Sequence, residues 1–458
     1  MKRYIIAMIF MASLLTGCKS LYGNYERPAD VKTDGLMREQ NADTSGADSI
    51  SLSWRQLFKD PRLVALIDSG LRHNADLQTA RLRTEEAKAT LQASKKALLP
   101  SVGFSPQGQV NSFDGGKAVK TYSIDLSASW EADAFGSLRN KKKGSEMALY
   151  QQLAYTQAVQ TQLIATIAES YYTLEMLDRE LIITRQTADT WEEYVRSLRL
   201  MHENSSTSSS AIQQNEASLL SARHSIEALQ QQIHEQENSL STLVGRPAGN
   251  IERGSIDNPM MADIQSFGPI NCRMLGHRPD VRQKEYALAG CFYDVNAARS
   301  AFYPNITLSG SAGWTNSNGG MIVNPGKMLL SAVASLTQPI FNKGRNVANL
   351  KIAQAQYEEA KVSFTQSLLD AGEEVNNALT QYQTAKRKQQ IDSQRIDRLQ
   401  EALQSTTLME QNSNETNYLD VLTARQSLLS GQLSQIEDLY SEIESVISLY
   451  HALGGGIR

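Results

Sequence analysis

"TYSIDLSASWEADAFGSLRN", residues 121–140, changes its period halfway. Tyr122, Ile124, Leu126, Ala128 and Trp130 alternate with Ser123, Asp125, Ser127, Ser129 and Glu131. That two-residue period predicts a strand with one apolar and one polar face. Past Gly136 the alternation stops and a long span without proline begins. All 11 prolines lie outside 138–202 and 345–409, and those spans hold only Gly144 and Gly372. As an unbroken helix each would run about 98 Å at 1.5 Å per residue.

The second span carries a helical seam. Leu350, Ala353, Tyr357, Ala360, Phe364, Leu368, Ala371, Val375, Leu379 and Tyr382 recur in steps of three and four, with Gln, Lys and Glu filling the other face. Helices this long are coiled-coil or bundle elements, not the units of a compact enzyme. Shorter helices are predicted over 62–98, 211–244, 279–301 and 417–453. "VGRP" (Val244 to Pro247) supplies a stop, with Gly245 at the helix end and Pro247 just beyond.

Three further segments share the strand period. In "SVGFSPQGQVN", Val102, Phe104 and Val110 take one parity and Ser105, Gln107, Gln109 and Asn111 the other. In "NITLSGSAGW", Ile306, Leu308, Ala312 and Trp314 oppose Thr307, Ser309 and Ser311, and "LLSAVASLTQ" (329–338) alternates more weakly. Such segments suit the half-buried strands of a soluble sheet, and they also suit a transmembrane barrel.

The pattern occurs twice. "LLP" precedes the first strand pair and "FYP" the second; "AFGSLRN" follows one pair and "IFNKGRN" the other. Polar stretches, "HENSSTSSS" and "EQNSNETN", break both long helical regions. The period is roughly 207 residues, too long for a solenoid, and reads as an internal duplication. The chain therefore divides into a signal peptide at 1–17, an N-terminal extended linker at 18–50, and two copies of one design at 51–250 and 251–458.

The N-terminus tips the choice between soluble sheet and barrel. Lys2 and Arg3 precede an apolar run from Tyr4 to Leu15, too short to span a bilayer as a helix. Leu15-Thr16-Gly17-Cys18 matches the bacterial lipobox, which makes Cys18 the expected lipidated N-terminus of the mature chain. Several acyl chains on one residue would anchor firmly, at about 0.8 kcal/mol per buried CH₂. Lys19 stands where an inner-membrane retention signal has Asp, which directs the protein to the outer membrane. Residues 19–50 are polar and read as a tether behind the lipid.

Composition removes other classes. A net charge of -4 argues against a nucleic-acid partner. Aromatic content is 7%, and the abundance of Ala, Gln, Ser, Leu and Glu suits long helices with small contact residues. No apolar run after Leu15 is long enough for a membrane helix, so a bilayer crossing must be made by strands. The histidines (His73, His202, His224, His234, His277 and His451) show no metal-ligand spacing, and neither a P-loop nor a nucleophile elbow occurs. We expect no enzyme activity, no metal and no cofactor beyond the covalent lipid. Cys272 and Cys291 would meet an oxidising compartment, and both a disulfide and free thiols fit the sequence.

Four strands cannot close a barrel, and an open sheet in hydrocarbon leaves backbone groups unpaired at several kcal/mol each. Three chains would supply 12 strands, within the range of outer-membrane barrels, together with six very long helices. The expected fold is α+β and mostly α: a trimeric 12-stranded outer-membrane β-barrel continued by a long periplasmic α-helical barrel.

At this point the sequence resembles the TolC/OprM family of outer-membrane efflux lipoproteins. The likeness is carried by "LTQPIFNKGRNVANLKIAQAQYEEAKVSFTQSLLDAGEEVNNAL" (336–379) and "GHRPDVRQKEYALAGCFYDVNAARSAFYPNITLSGSAG" (276–313), with "SIDLSASWEADAFGSLRN", "IAESYYTL" and "YLDVLTARQSLL" in matching order. It covers about 50 to 458. The resemblance implies a homotrimeric exit duct of a tripartite efflux pump, docked to a periplasmic adaptor and an inner-membrane RND-type transporter. It also implies site residues. Adaptor docking would fall on the polar turns at the periplasmic tip, on Asn204, Ser205, Ser206, Asn414 and Glu415. Relatives usually place glycine at Asn204 and Asn414, and Asn tolerates the left-handed conformation that such turns use. The alternative is two polar hairpin loops without recognition content.

Asp420 falls where relatives carry a carboxylate at the periplasmic constriction, and three copies would form a ring that favours cations. Where a second acid often follows, this chain has Thr423. A solvated carboxylate favourable to the helix dipole is the other reading of Asp420. Lys141, Lys142 and Lys143 are either lipid-headgroup contacts or a solvated run. Arg278, Pro279 and Asp280 are expected to shape the start of a helix. Two other functions remain open at this level: a duct for type I protein secretion, and a lipid-anchored coiled-coil scaffold.

Overall fold

The structure, a computed structural model, describes residues 22–29, 31, 35–36, 53–112, 114–203, 208–262, 272–315, 327–412 and 418–455. Among them the elements run α1 (Trp54–Leu57), α2 (Pro61–His73), α3 (Ala75–Lys96), β1 (Ser101–Asn111), β2 (Val119–Ala132), α4 (Ser137–Glu203) and α5 (Ser209–Leu243). A 3-10 turn at Cys272–His277 then leads into α6 (Pro279–Ser300), β3 (Asn305–Thr315), β4 (Lys327–Thr337), α7 (Arg345–Asn412) and α8 (Tyr418–Ala452). The chain is mostly helical with one small antiparallel sheet, and the order helix, strand, strand, long helix, helix occurs twice.

Both long helices form as expected. α4 has 67 residues and α7 has 68. Gly136 and Gly344 immediately precede them with φ of 77° and 78°, a left-handed turn that a side chain would strain. Asp133 then closes the start of α4, its carboxylate accepting from the backbone N–H of Leu138 at 3.0 Å and of Arg139 at 2.8 Å. Along α7 the predicted seam faces inward: Ala353, Phe364, Leu368, Ala371 and Val375 are buried. α5 starts at Ser209, two residues earlier than periodicity suggests, because the Ser208 hydroxyl accepts from Ala211 N at 3.3 Å and caps it. It stops as read, with Gly245 at φ 73° and its N–H donating to Thr242 O.

One predicted element is corrected. The helix expected over 62–98 is two helices, α2 and α3, because Asn74 adopts an extended ψ of 130°. Its Oδ1 accepts from Leu77 N at 3.0 Å, starting α3, while its Nδ2 donates to Leu243 O at the end of α5. A long-range contact overrides a period that runs through the break.

The contacts divide the chain into two units. One comprises Leu82–Ala154, Arg282–Gln366 and the described residues of Met1–Lys32. It holds the sheet. Here the polar segment after the lipobox has neither helix nor strand over 22–28, yet it is held in place. Arg27 makes a bidentate pair with Glu285, and Tyr25 meets the Phe292 ring edge-on at 6.0 Å. Lys143 donates to Asn24 Oδ1 at 2.7 Å and lies over the Tyr293 ring, so this lysine serves the N-terminal segment. Cys291 is a free, half-buried thiol.

The other unit comprises Tyr155–Val281, Ser367–Arg458 and the described residues of Thr33–Arg81. Leu163, Ile164, Ile167, Ala168, Tyr171 and Leu174 of α4 are buried, and so are Ile443, Val446, Ile447 and Tyr450 of α8. Arg278 is 2% exposed and forks onto Asp280 at 3.0 and 2.6 Å, with further bonds to Glu374 and to the carbonyl of Ala452. Pro279 opens α6. These residues do shape a helix start, and Arg278 in addition caps the last turn of α8.

Candidate functional site

The sheet supplies the first candidate surface. Its order is β1-β2-β3-β4, antiparallel throughout. Register decides which side chains share a face, because a slip of one residue would exchange the two sides. Here Phe104 lies opposite Leu126 and Leu126 opposite Ala312; Trp130 lies opposite Leu308 and Leu308 opposite Ala334. One face thus runs from Val102, Phe104 and Val110 through Ile124, Leu126 and Trp130 to Ile306, Leu308 and Trp314, and on to Leu330 and Leu336. The other carries Ser105, Gln107 and Gln109, then Ser123, Asp125, Ser127 and Ser129, then Thr307, Ser309 and Ser311, then Ser331 and Ser335.

Among the described residues nothing covers the apolar face. Phe104 is 67% exposed, Leu126 52% and Leu336 68%. A water-soluble sheet would pack such a face on its core, whereas a lipid-facing sheet has no need to. No helix of the described residues is long and apolar enough to cross a membrane.

The second candidate region surrounds Asp420. It stands in the first turn of α8, exposed, where a carboxylate favours the helix dipole. The next residue, Val421, is fully buried against Tyr194 and Leu198 of α4, with Ile212 of α5 and Leu403 of α7 packed on the same cluster. Leu422 joins Ala188, Trp191, Leu219 and Ala222. These two anchors fix the rotation of α8 and so hold Asp420 outward. Thr423 is also exposed and donates to Leu419 O at 2.7 Å.

Sequence reasoning missed what lies beneath. The Tyr194 hydroxyl donates to Glu410 Oε1 at 2.5 Å, joining α4 to α7. The Arg425 guanidinium sits 4.6 Å above the centre of the same ring and donates to Thr190 O at 3.4 Å, joining α8 to α4. Burial lowers the pKa of Arg425. A signal existed: Arg425 falls in step with Val421, Leu422, Leu428 and Leu429, a charge inside an apolar stripe. Arg199 to Glu216 and Arg223 to Glu192 add ion pairs between α4 and α5. Both pairs are largely exposed and each contributes less than about 1 kcal/mol.

Further along α4, Glu175 is 3% exposed and forms part of a buried acid pair with Asp60. Asp60 accepts from the Tyr171 hydroxyl at 2.6 Å, and Glu175 accepts from Gly254 N at 3.0 Å. Burial first, and then the Asp60 charge, push the Glu175 carboxyl up to about 7. Among the described residues no group of three His, Cys, Asp or Glu could hold a metal ion. Cys18, Asn204, Ser205, Ser206, Asn414 and Glu415 lie outside the described residues.

The profile of the outer membrane efflux protein family matches two segments, residues 66–246 and 273–455. Among curated proteins the chain is similar to the probable outer membrane lipoprotein SilC of Salmonella typhimurium, 28% identical over 100% of this chain and 99% of SilC. It is 27% identical to the cation efflux system protein CusC of Escherichia coli strain K12, over 97% of this chain and 98% of CusC. A crystal structure of CusC superposes with a TM-score of 0.87 at 26% identity, covering 95% of this chain and all of that one. The open state of the MtrE outer membrane channel of Neisseria gonorrhoeae gives 0.83 at 27% identity, over 96% of this chain and 99% of that one.

Proposed function

Since this chain belongs to the outer membrane efflux protein family, a family of outer-membrane channels and not of enzymes, we propose that three copies close one 12-stranded barrel. That barrel is the exit duct of a tripartite pump. The observation that carries the reading is the two-faced sheet: its exposed apolar side suits lipid and its Ser- and Gln-rich side suits a water-filled lumen. Two strand pairs from each chain leave two open edges, which closure removes. The helices following each pair continue the duct into the periplasm as an α-helical barrel, and the two repeats are taken as 51–250 and 251–458.

The duct consumes no energy of its own. A periplasmic adaptor docks on the turns containing Asn204, Ser205, Ser206, Asn414 and Glu415, and an inner-membrane RND-type transporter supplies the drive. Three Asp420 side chains, held outward by buried Val421, ring the periplasmic constriction and favour cations there. Removal of the signal peptide at 1–17 exposes Cys18, whose acyl chains tether each copy to the inner leaflet of the outer membrane. CusC is named for cation efflux and TtgC of Pseudomonas putida for toluene efflux, at 27% and 28% identity to this chain. We therefore assign the substrate class as small solutes delivered by the partner pump. A lipid-anchored scaffold would have no use for the apolar sheet face.

The test is the mass of the detergent-extracted protein by light scattering, corrected for bound detergent. Three copies are expected. A monomer or dimer, stable across several mild detergents, would leave the sheet open and overturn the duct.

A further inference from the structure

The four strands are not equal in length, and the difference locates the neighbour. β1, β3 and β4 each have 11 residues, whereas β2 has 14. The β1–β2 ladder ends at Ser101 opposite Ser129, but β2 continues through Trp130, Glu131 and Ala132, which pair with Leu308, Thr307 and Ile306 of β3. The extra residues of β2 therefore exist for its second partner. Among the described residues β4 has no second strand partner.

Internal duplication shows what β4 lacks. α3 and α6 each have 22 residues, and each is followed by a strand at the same distance, beginning at Ser101 and Asn305. Left-handed Gly136 and Gly344 close the two strand pairs alike. One side-chain bond confirms the match. Trp130 Nε1 donates to Leu98 O at 2.9 Å, and Gln338 Nε2 donates to Phe302 O at 3.5 Å. Gln338 therefore occupies in the second repeat the place of Trp130 in the first. By the same step Ile340 occupies the place of Ala132, and Val102 that of Ile306.

Within the chain Ala132 lies opposite Ile306. We propose that β4 extends through Gln338, Pro339 and Ile340, and pairs with β1 of the neighbouring copy so that Ile340 lies opposite its Val102. The inference rests on the trimeric barrel proposed above and adds the register of its seams. The same register sets Thr337 opposite Ser105 and Gln338 opposite Phe104 of the neighbour.

Two further observations fit it. Ile340, just past the end of β4, is 99% exposed and Val102 on β1 is 68% exposed, so both apolar groups stand uncovered. The register also pairs even positions with even, which joins Leu330 and Leu336 to the apolar face of the neighbour's Phe104 and Val110. A slip of one would put serines into lipid. Slips of two preserve the faces, so the choice among them comes from the duplication alone. Proline at position 339 is tolerated because a strand end can lack one ladder donor.

The experiment uses the full-length chain in outer membranes, with Cys272→Ser and Cys291→Ser removing the two unlipidated thiols. Opposed residues lie about 4.5–5.5 Å apart, within disulfide reach, whereas diagonal neighbours lie about 7–8 Å apart. Ile340→Cys is paired with Val102→Cys, and separately with Pro100→Cys or Phe104→Cys. On the lumen face, Thr337→Cys is paired with Ser105→Cys, and separately with Gly103→Cys or Gln107→Cys. Mild oxidation and non-reducing electrophoresis should give reducible dimer and trimer bands several-fold stronger for 340 with 102 and for 337 with 105. Stronger bands for a displaced pair, in chains that light scattering shows to be trimeric, would overturn the register and leave the barrel standing. Trimers with no linked product from any pair would overturn it equally. Monomeric chains would overturn the barrel itself.

Discussion

Tyr194 and Glu410, 216 residues apart, share a hydrogen bond of 2.5 Å that joins the two longest helices at the ring against which Val421 is buried. Arg425 lies on the other side of the bond's donor, its guanidinium over the Tyr194 ring. Three helices are thus held by one tyrosine, and α8 cannot rotate without breaking the stack. Tyr194→Phe removes the bond while keeping the ring. It should cost about 1 kcal/mol and raise single-channel conductance in planar bilayers severalfold. Conductance equal to that of the unaltered chain would show that the bond does not hold the proposed constriction.

Asp420→Ala tests the proposed carboxylate ring directly. Its buried neighbours Val421 and Leu422, which anchor α8, are left unaltered. Passive leak should rise and cation selectivity, read from the reversal potential in a salt gradient, should fall. Unchanged selectivity would mean that Asp420 is only a solvated helix carboxylate.

The acid pair around Asp60 makes stability depend on pH. Glu175 titrates near 7 in the folded chain against an ordinary value of 4.5. Between those values the folded chain holds a proton that the unfolded chain has lost, so stability falls as pH rises through the window and recovers below it. The neighbouring Tyr171, Gly254 N–H and Arg62 offset part of the cost. Glu175→Gln should therefore raise the thermal midpoint at pH 8, by an amount corresponding to roughly 1–3 kcal/mol. The gain should shrink toward pH 5. An equal gain at both pH values would place its origin in packing.

The two faces of the sheet predict opposite responses to charge. Leu126→Lys puts an ammonium on the apolar side, at about 2–4 kcal/mol if it lies near the bilayer midplane. Ser127→Lys puts one on the polar side. The first variant should lose protein from the outer-membrane fraction, and the second should insert normally with altered ion selectivity. Equal insertion of both would contradict the assignment of faces.

Much of this molecule was legible in its residues because strand and helix periods are local. The alternation over 121–133 located β2, its polar and apolar parities named the two faces, and the proline-free spans located α4 and α7 to within a few residues. The repeated order of elements was legible too, through "LLP" and "FYP" and the paired Gly136 and Gly344. The resemblance carried the family, and the expectation that Arg278 and Asp280 form a helix start survived.

What the sequence could not supply were the partners of groups whose mates are far along the chain. Asn74 sits in an unbroken helical period, and only its bond to Leu243 O shows why the helix stops there. Arg278 reaches the carbonyl of Ala452 across 174 residues. Glu410 and Arg425 meet on Tyr194 because α4, α7 and α8 pack together, and no local pattern encodes that meeting. Hydrogen bonds and burial depend on distance in space. Periodicity reports only which side of an element a residue takes, so the sequence determined the elements and their faces, and the tertiary structure alone decided what each face touches.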